Sequence, residues 1–137
     1  MPQAVGSSIP SKTVSVGGLP PTVTVLLRAF EQSREAILIT DAENLIVAVN
    51  PAFTEMTGYD VAETLGKDPK ILSSGHAEPD FFVQMWQSLA QDGFWQGEIW
   101  DKRKDGSTYP KWLSISVIRD ETGAVQNYVA NFNDISS

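Results

Sequence analysis

A helix start is predicted directly after the apolar run Leu45–Val49, and this junction constrains the fold more than any other feature of the chain. Pro51 has no N–H to lose in a first helical turn, and Asn50 before it can cap the helix. Gly58 can take the positive φ that ends a helix, so this one is short, about 51–57. The sequence therefore predicts a strand that passes at once into a short helix.

The whole sequence excludes several classes of protein. Its 137 residues are enough for one domain with its own core. It has no cysteine, which excludes disulfides, thiolate metal sites and thiol nucleophiles. A net charge of −7, with ten lysines and arginines, argues against nucleic acid and anionic membranes as partners. No apolar run approaches about 18 residues, so no membrane span is expected.

The N-terminal part divides into two segments. Residues 1–19 are rich in Ser, Gly, Pro, Val and Thr without amphipathic period, and we expect a flexible leader. This segment lacks the basic start and long apolar stretch of a secretory signal, so we expect a cytoplasmic protein. Residues 20–33 place Val23, Leu26, Leu27 and Phe30 at helical spacing, which predicts an amphipathic helix.

The remaining residues alternate between strand and helix patterns. Strands are predicted at 36–41, 45–50, 94–104, 107–119 and 124–134, and helical segments at 51–57, 60–65, 69–73 and 79–92. Asp105-Gly106 is the strongest turn signal. The simplest closure is an α+β fold, a five-stranded antiparallel sheet with helices packed on one face. The space between sheet and helices is a natural small-molecule pocket.

An ordered series of short motifs covers about residues 24–136. It consists of Asn50-Pro51-Ala52-Phe53 with Gly58-Tyr59, Gly66-Lys67, Ile71–Gly75, Trp95–Trp100, Arg103–Gly106 and Asn133-Asp134-Ile135. The series resembles PAS sensor domains, which implies a PAS domain at about 34–136. The resemblance is to bacterial sensors in which such a domain precedes a diguanylate cyclase or histidine kinase. It implies an output module outside this sequence.

Within that family the chain is similar to FAD-binding redox sensors of the NifL kind. The resemblance implies that Trp86 and Tyr109 lie at or near a flavin. Asp101 stands where NifL-like and LOV domains carry an asparagine facing the flavin edge, and Pro69 replaces a glutamate of the NifL-like site. The absence of cysteine excludes the thiol–flavin adduct of LOV domains.

Strand alternation sorts the side chains of the three long strands. The PAS resemblance implies which set faces the helices: Trp95, Gly97, Ile99, Asp101, Tyr109, Lys111, Leu113, Ile115, Val117, Tyr128, Ala130 and Phe132. The candidate cofactor-binding residues are Trp86, Trp95, Asp101, Tyr109, Lys111, Leu113 and Phe132. Asp101 and Lys111 come together at the mouth of the cavity. We expect them to form an ion pair on a solvated rim, and the alternative is a polar clamp for a ligand.

Two tryptophans are predicted to point away from the helices. Trp100 and Trp112 would form an apolar patch that monomers seldom leave bare. We therefore expect the amphipathic helix 20–33, from the same chain or from a partner, to cover this outer sheet face and to give a homodimer. Haem is not expected, because His76 lies in a loop whereas haem-binding PAS domains take their histidine from the long helix or its approach.

Three functions follow from these observations. The first is a sensory domain that binds FAD non-covalently and reports redox state or oxygen. The second is a cofactor-free dimerisation and relay module, and the third is a sensor of a small organic ligand or anion held by Lys111. Catalysis is not indicated, since the sequence offers no nucleophile–base pair, phosphate-binding glycine loop or metal spacing.

Overall fold

The computed structural model describes residues 18–136. The leader predicted for 1–19 therefore lies almost wholly outside the described residues. Two compact units are present, one ending at Gln32 and the other beginning at Ser33. The first contains helix α1, Pro21–Gln32, in which the Thr24 hydroxyl donates to the Pro20 carbonyl. No helix in the described part is long and apolar enough to cross a bilayer.

The second unit contains all five strands. In chain order its elements are β1 Ala36–Asp41, β2 Ile46–Val49, α2 Pro51–Thr57, α3 Val61–Thr64, the 3₁₀ helix Pro69–Leu72, α4 Pro79–Asp92, β3 Phe94–Lys102, β4 Thr108–Arg119 and β5 Val125–Asp134. Each predicted element is present, and no end differs from the prediction by more than two residues. For example, β3 stops before Arg103, because the Arg103 carbonyl accepts from Gly106 N–H in the turn that follows.

The strands form one antiparallel sheet in the order β2-β1-β5-β4-β3. The last strand thus lies in the centre, between β1 and β4. Helices α2, α3 and α4 contact the sheet, and the buried apolar side chains form one core with Phe53, Leu89 and Phe132 among its most enclosed members. The predicted α+β fold class is confirmed.

Asn50 ties the start of α2 to the first strand. Its side chain is fully buried, and its Oδ1 accepts from the backbone N–H of Phe53 at 3.0 Å and of Ile37 at 2.9 Å. Its Nδ2 donates to the Glu35 carbonyl at 3.0 Å. The helix ends at Gly58, whose φ of 82° is left-handed, as predicted. One amide therefore caps the helix and fixes it against β1.

Arg103 fixes the other end of α2. Its guanidinium donates to the Met56 carbonyl at 2.8 Å and pairs with Asp134, also at 2.8 Å. The same group lies 3.9 Å from the ring centroid of Tyr109. Arg103 thus joins the C-terminal end of α2 to the end of β5, and this contact lies next to the site described below.

Candidate functional site

A cavity of about 290 Å³ lies between the inner face of the sheet and the segments that cover it. We call it the inner cavity. Its lining residues are Leu38, Thr40, Asn44, Asp68, Pro69, Lys70, Leu72, Ser73, Phe82, Met85, Trp86, Ile99, Asp101, Lys111, Leu113, Ile115, Tyr128, Ala130 and Phe132. Most of these side chains are apolar, and the polar ones come from the sheet, the 3₁₀ helix and the β1–β2 turn. The cavity is therefore an apolar pocket with a few fixed polar groups.

On the sheet side of the cavity, buried side chains alternate along the strands as predicted. Ile99 and Asp101 are the two buried positions of β3, and the residues between and beside them are exposed. On β4 the buried positions are Tyr109, Lys111 and Leu113. Five of the seven predicted site residues line the inner cavity: Trp86, Asp101, Lys111, Leu113 and Phe132.

Asp101 and Lys111 form a buried ion pair. In the β3–β4 register Lys111 lies opposite Ile99, so it is the diagonal neighbour of Asp101. The Lys111 Nζ is 2.5 Å from the Asp101 Oδ2, and the two side chains are 3% and 8% exposed. The ion pair is thus present as expected, but the solvated rim is wrong. The long lysine side chain remains inside because its ammonium also lies 3.6 Å from the ring centroid of Phe132.

Burial and charge act in opposite directions on this pair. Burial raises the pKa of Asp101, while the positive charge of Lys111 and its hydrogen bond oppose that rise. Burial lowers the pKa of Lys111, and Asp101 opposes that change in turn. Each group depends on the other to stay charged, because an unpaired ion in this position has lost its water without compensation.

Trp95 is one of the two predicted residues that the structure places elsewhere. Its indole packs edge-on against Phe81, with ring centroids 5.5 Å apart. It also lies over Gly97, where a Cβ atom would come within 2.9 Å of the indole. The missing side chain at Gly97 therefore gives the indole room along the strand, and Trp95 does not line the inner cavity.

Tyr109 is the second predicted site residue that does not line the inner cavity. It lies opposite Asp101 in the β3–β4 register and is almost fully buried. Its hydroxyl has no hydrogen-bond partner among the described residues. Burial raises the pKa of the phenol, and the negative charge of Asp101 adds to the rise. Tyr109 thus lies beside Asp101 on the neighbouring strand and under the guanidinium of Arg103.

The covering segments contribute Ser73, which was not among the predicted site residues, and Trp86, which was. Ser73 lines the cavity because its backbone forms an isolated antiparallel bridge with Asp101, which holds the 3₁₀ helix against the end of β3. Trp86 from α4 packs edge-on against Tyr128 from β5 at 5.2 Å, and both line the cavity. Trp86 is 39% exposed and marks the surface side of the pocket. His76 lies exposed in the loop before α4, outside the lining.

The outer face of the sheet carries the two tryptophans predicted to lie there. Trp100 is 45% and Trp112 43% exposed in the single chain. They come from neighbouring strands, and Trp100 lies opposite Pro110 in the register. This face is therefore an apolar surface on the side of the sheet opposite the inner cavity.

Comparison with known proteins gives a consistent family. The sequence profile of a PAS domain matches residues 34–137. The nitrogen fixation regulatory protein of Klebsiella oxytoca is 36% identical over 106 residues, which are 77% of this chain and 21% of that protein. The bacterioopsin transcriptional activator of Halobacterium salinarum is 32% identical over 112 residues, 80% of this chain and 17% of that protein. The chain thus spans about a fifth of the length of these relatives.

Solved structures agree in fold. The PAS domain of a Colwellia psychrerythraea protein superposes with a TM-score of 0.78 over 83% of this chain and 97% of that one, at 21% identity. A light-oxygen-voltage (LOV) domain studied with a flavin analogue has a TM-score of 0.72 and 28% identity over 82% of this chain and 86% of that one.

Proposed function

Because this chain belongs to the PAS domain family, we propose that it is a sensory domain that binds FAD non-covalently in the inner cavity and reports redox state or oxygen. The observation that carries the proposal is the buried Asp101–Lys111 pair on the wall of an otherwise apolar cavity. The 28% identity to the LOV domain studied with a flavin analogue supports a flavin as the ligand, and the resemblance to NifL-like sensors supports FAD.

The lining fits a flavin in its chemistry. The ring edge of a flavin presents an N–H between two carbonyl oxygens, and an ionised aspartate accepts from such an N–H but cannot donate to the oxygens. Lys111 supplies the missing donor, since an ammonium has three N–H groups and the pair uses one of them for Asp101. The acidic substitution at Asp101 is thereby compensated on the neighbouring strand.

The lining also fits a flavin in size. A cavity of about 290 Å³ is close to the lower limit for small-molecule sites, which span roughly 300–1,000 Å³. It can enclose a planar ring system between apolar side chains such as Leu113 and Met85. The rest of FAD would extend past the surface side of the pocket, where Lys70 is exposed. The bound flavin supplies an electron-accepting centre whose hydrogen bonding changes on reduction.

Reconstitution with FAD tests the proposal. Purified protein incubated with excess FAD and then desalted should retain the two visible bands of oxidised flavin, and denaturation should release FAD. Ala130→Leu places a larger side chain in the cavity wall and should weaken binding by at least about tenfold, which is about 1.4 kcal/mol. Ala124→Leu is the matched control, because Ala124 lies exposed in the β4–β5 turn.

The outcome of reconstitution also decides between two functions. A protein that stays colourless after reconstitution would contradict FAD binding and favour a cofactor-free relay module. That second candidate has its own support, because the polar groups Asp101 and Lys111 satisfy each other within the cavity. A domain of that kind needs no ligand to stabilise its interior.

We further propose that the domain forms a homodimer that buries helix α1 and the outer sheet face, and that it relays its signal to an output module such as a diguanylate cyclase or histidine kinase. The support is the apolar exposure of both surfaces, with Val25 and Leu26 on α1 and Trp100 and Trp112 on the sheet. Tryptophan is enriched among residues that dominate binding energy at interfaces. A patch of this kind is uncommon on a monomer.

Removing the two tryptophans tests the interface. The double variant Trp100→Ser/Trp112→Ser should weaken the dimer by at least about tenfold, or about 1.4 kcal/mol, measured by sedimentation over a concentration series. Val83→Ser is the control, because Val83 is exposed on α4, on the other side of the sheet. Equal association of wild type and the double variant would place the interface elsewhere.

A further inference from the structure

The buried ion pair is the strongest electrostatic feature of the inner cavity. The other two ion pairs of the described part, Arg103–Asp134 and Lys104–Glu63, are partly exposed and thus screened by water and salt. The cavity has two further charged lining residues, Asp68 and Lys70, on the covering segment. Lys70 is exposed, and the Asp68 carboxylate accepts from the Lys70 backbone N–H at 2.9 Å. Among the described residues that line the cavity, Asp101 and Lys111 are therefore the two whose charges are buried.

The pair lies in the wall of a small cavity, so a ring-sized ligand in that cavity would lie beside it. Both side chains belong to the cavity wall, and the cavity is only about 290 Å³. Lys111 is held by Asp101 and by the face of Phe132, so its ammonium stays beside the enclosed space. A planar ring that fills this space lies within a few ångströms of both charges, where the low dielectric strengthens Coulomb interactions.

We propose that the Asp101–Lys111 pair sets the reduction potential of the flavin in the inner cavity, with Lys111 compensating the negative charge that reduction adds. The inference rests on the proposed function. Full reduction adds two electrons and one proton to the ring at neutral pH and leaves it with one negative charge. The electrons come from an external donor, dithionite in the experiment below, and the proton comes from solvent. Charge near the ring is one way in which proteins tune flavins.

The two partners have opposite effects, which separates electrostatics from packing. Lys111→Gln removes the positive charge and leaves Asp101, so reduction should become harder. Asp101→Asn removes the negative charge and leaves Lys111, so reduction should become easier. In the double variant Asp101→Asn/Lys111→Gln the two changes cancel. A loss of packing alone has no reason to change sign between the two partners.

The test is the midpoint potential of the FAD-loaded protein, measured by equilibration with redox dyes, after FAD binding has been confirmed for each variant by fluorescence titration. We expect Lys111→Gln to lower the ratio of reduced to oxidised flavin at a fixed potential about tenfold, or about 30 mV for this two-electron couple. Asp101→Asn should raise it by a similar factor, and the double variant should return towards wild type. Lys102→Gln, which removes an exposed charge next to Asp101, should leave the potential unchanged.

The outcomes distinguish the two proposals. Bound flavin with equal potentials in all variants, or shifts of one sign in both single variants, would overturn this inference and leave FAD binding intact. A wild-type protein that takes up no FAD would overturn the proposed function and this inference with it. If Lys111→Gln fails to fold, Asp101→Asn and the double variant still give the sign and the cancellation.

Discussion

Replacing Lys111 by methionine should lower the free energy of unfolding by about 3–5 kcal/mol, the usual cost of removing one partner of a buried ion pair. The side chain is 3% exposed and pairs with Asp101 at 2.5 Å. Methionine keeps much of the volume but leaves the carboxylate enclosed without its cation. The loss can be measured as a lower midpoint in urea denaturation, followed by tryptophan fluorescence, with an unchanged slope.

Two matched variants show whether the loss comes from the unpaired charge. Lys102→Met changes an exposed lysine on β3 and should alter stability by less than about 0.5 kcal/mol. The double variant Asp101→Leu/Lys111→Met removes both charges and should recover most of the lost stability, because apolar replacement of a buried pair is often neutral or stabilising. A double variant as unstable as Lys111→Met would mean that the methionine itself does not fit.

The deficit of Lys111→Met should also depend on pH. Burial already raises the pKa of Asp101 against the opposing effect of Lys111, and loss of the lysine raises it further. The folded variant then binds a proton more tightly than the unfolded chain, so its stability rises as the pH falls through the raised pKa. The difference from wild type should therefore be largest near neutral pH and shrink towards about pH 4, the ordinary range of an aspartate.

Asn50→Ala is the second substitution with a large expected effect. It removes a fully buried amide that hydrogen-bonds to Phe53 N–H, Ile37 N–H and the Glu35 carbonyl. We expect a loss of about 3 kcal/mol, since a lost N-cap costs about 1 kcal/mol and each buried group left without a partner costs about 1–3 kcal/mol. Urea denaturation measures this loss directly.

The variant Asn50→Asp separates the contribution of the hydrogen bonds that the side chain accepts from that of the hydrogen bond that it donates. The carboxylate can still accept from Phe53 N–H and Ile37 N–H, and its charge is favourable at a helix N-terminus. It cannot donate to the Glu35 carbonyl. An intermediate loss would support this division, whereas a loss as large as that of alanine would show that the donated hydrogen bond is the dominant contribution.

The sequence predicted the fold well because each element has a local cause. Asn50, Pro51 and Gly58 begin and end α2 through backbone chemistry that depends on few other residues. More and less buried positions alternate along β3 and along the first half of β4, and this alternation places Asp101 and Lys111 on the same face. Periodicity reports such features directly.

The site was predicted less completely, because the burial and packing of a side chain depend on residues that are distant in the sequence. Alternation placed Trp95 and Tyr109 on the inner face, but the space at Gly97 directs Trp95 away from the cavity, and Arg103 covers Tyr109. The burial of the ion pair depends on Ser73, whose bridge to Asp101 closes the end of the cavity from 28 residues earlier in the chain. No local pattern in the sequence reveals a contact of that kind.

The contacts of Arg103 bear on how this domain could be joined to other proteins. Arg103 pairs with Asp134 at the end of β5 and also holds α2 through the Met56 carbonyl. A chimeric receptor in which the foreign module is fused after Ser136 would retain both of these contacts of Arg103. A fusion boundary placed before Asp134 would remove the anchor of Arg103 and loosen β5 at the point where the foreign module begins. The useful fusion site for engineered sensors therefore lies after the Arg103–Asp134 ion pair.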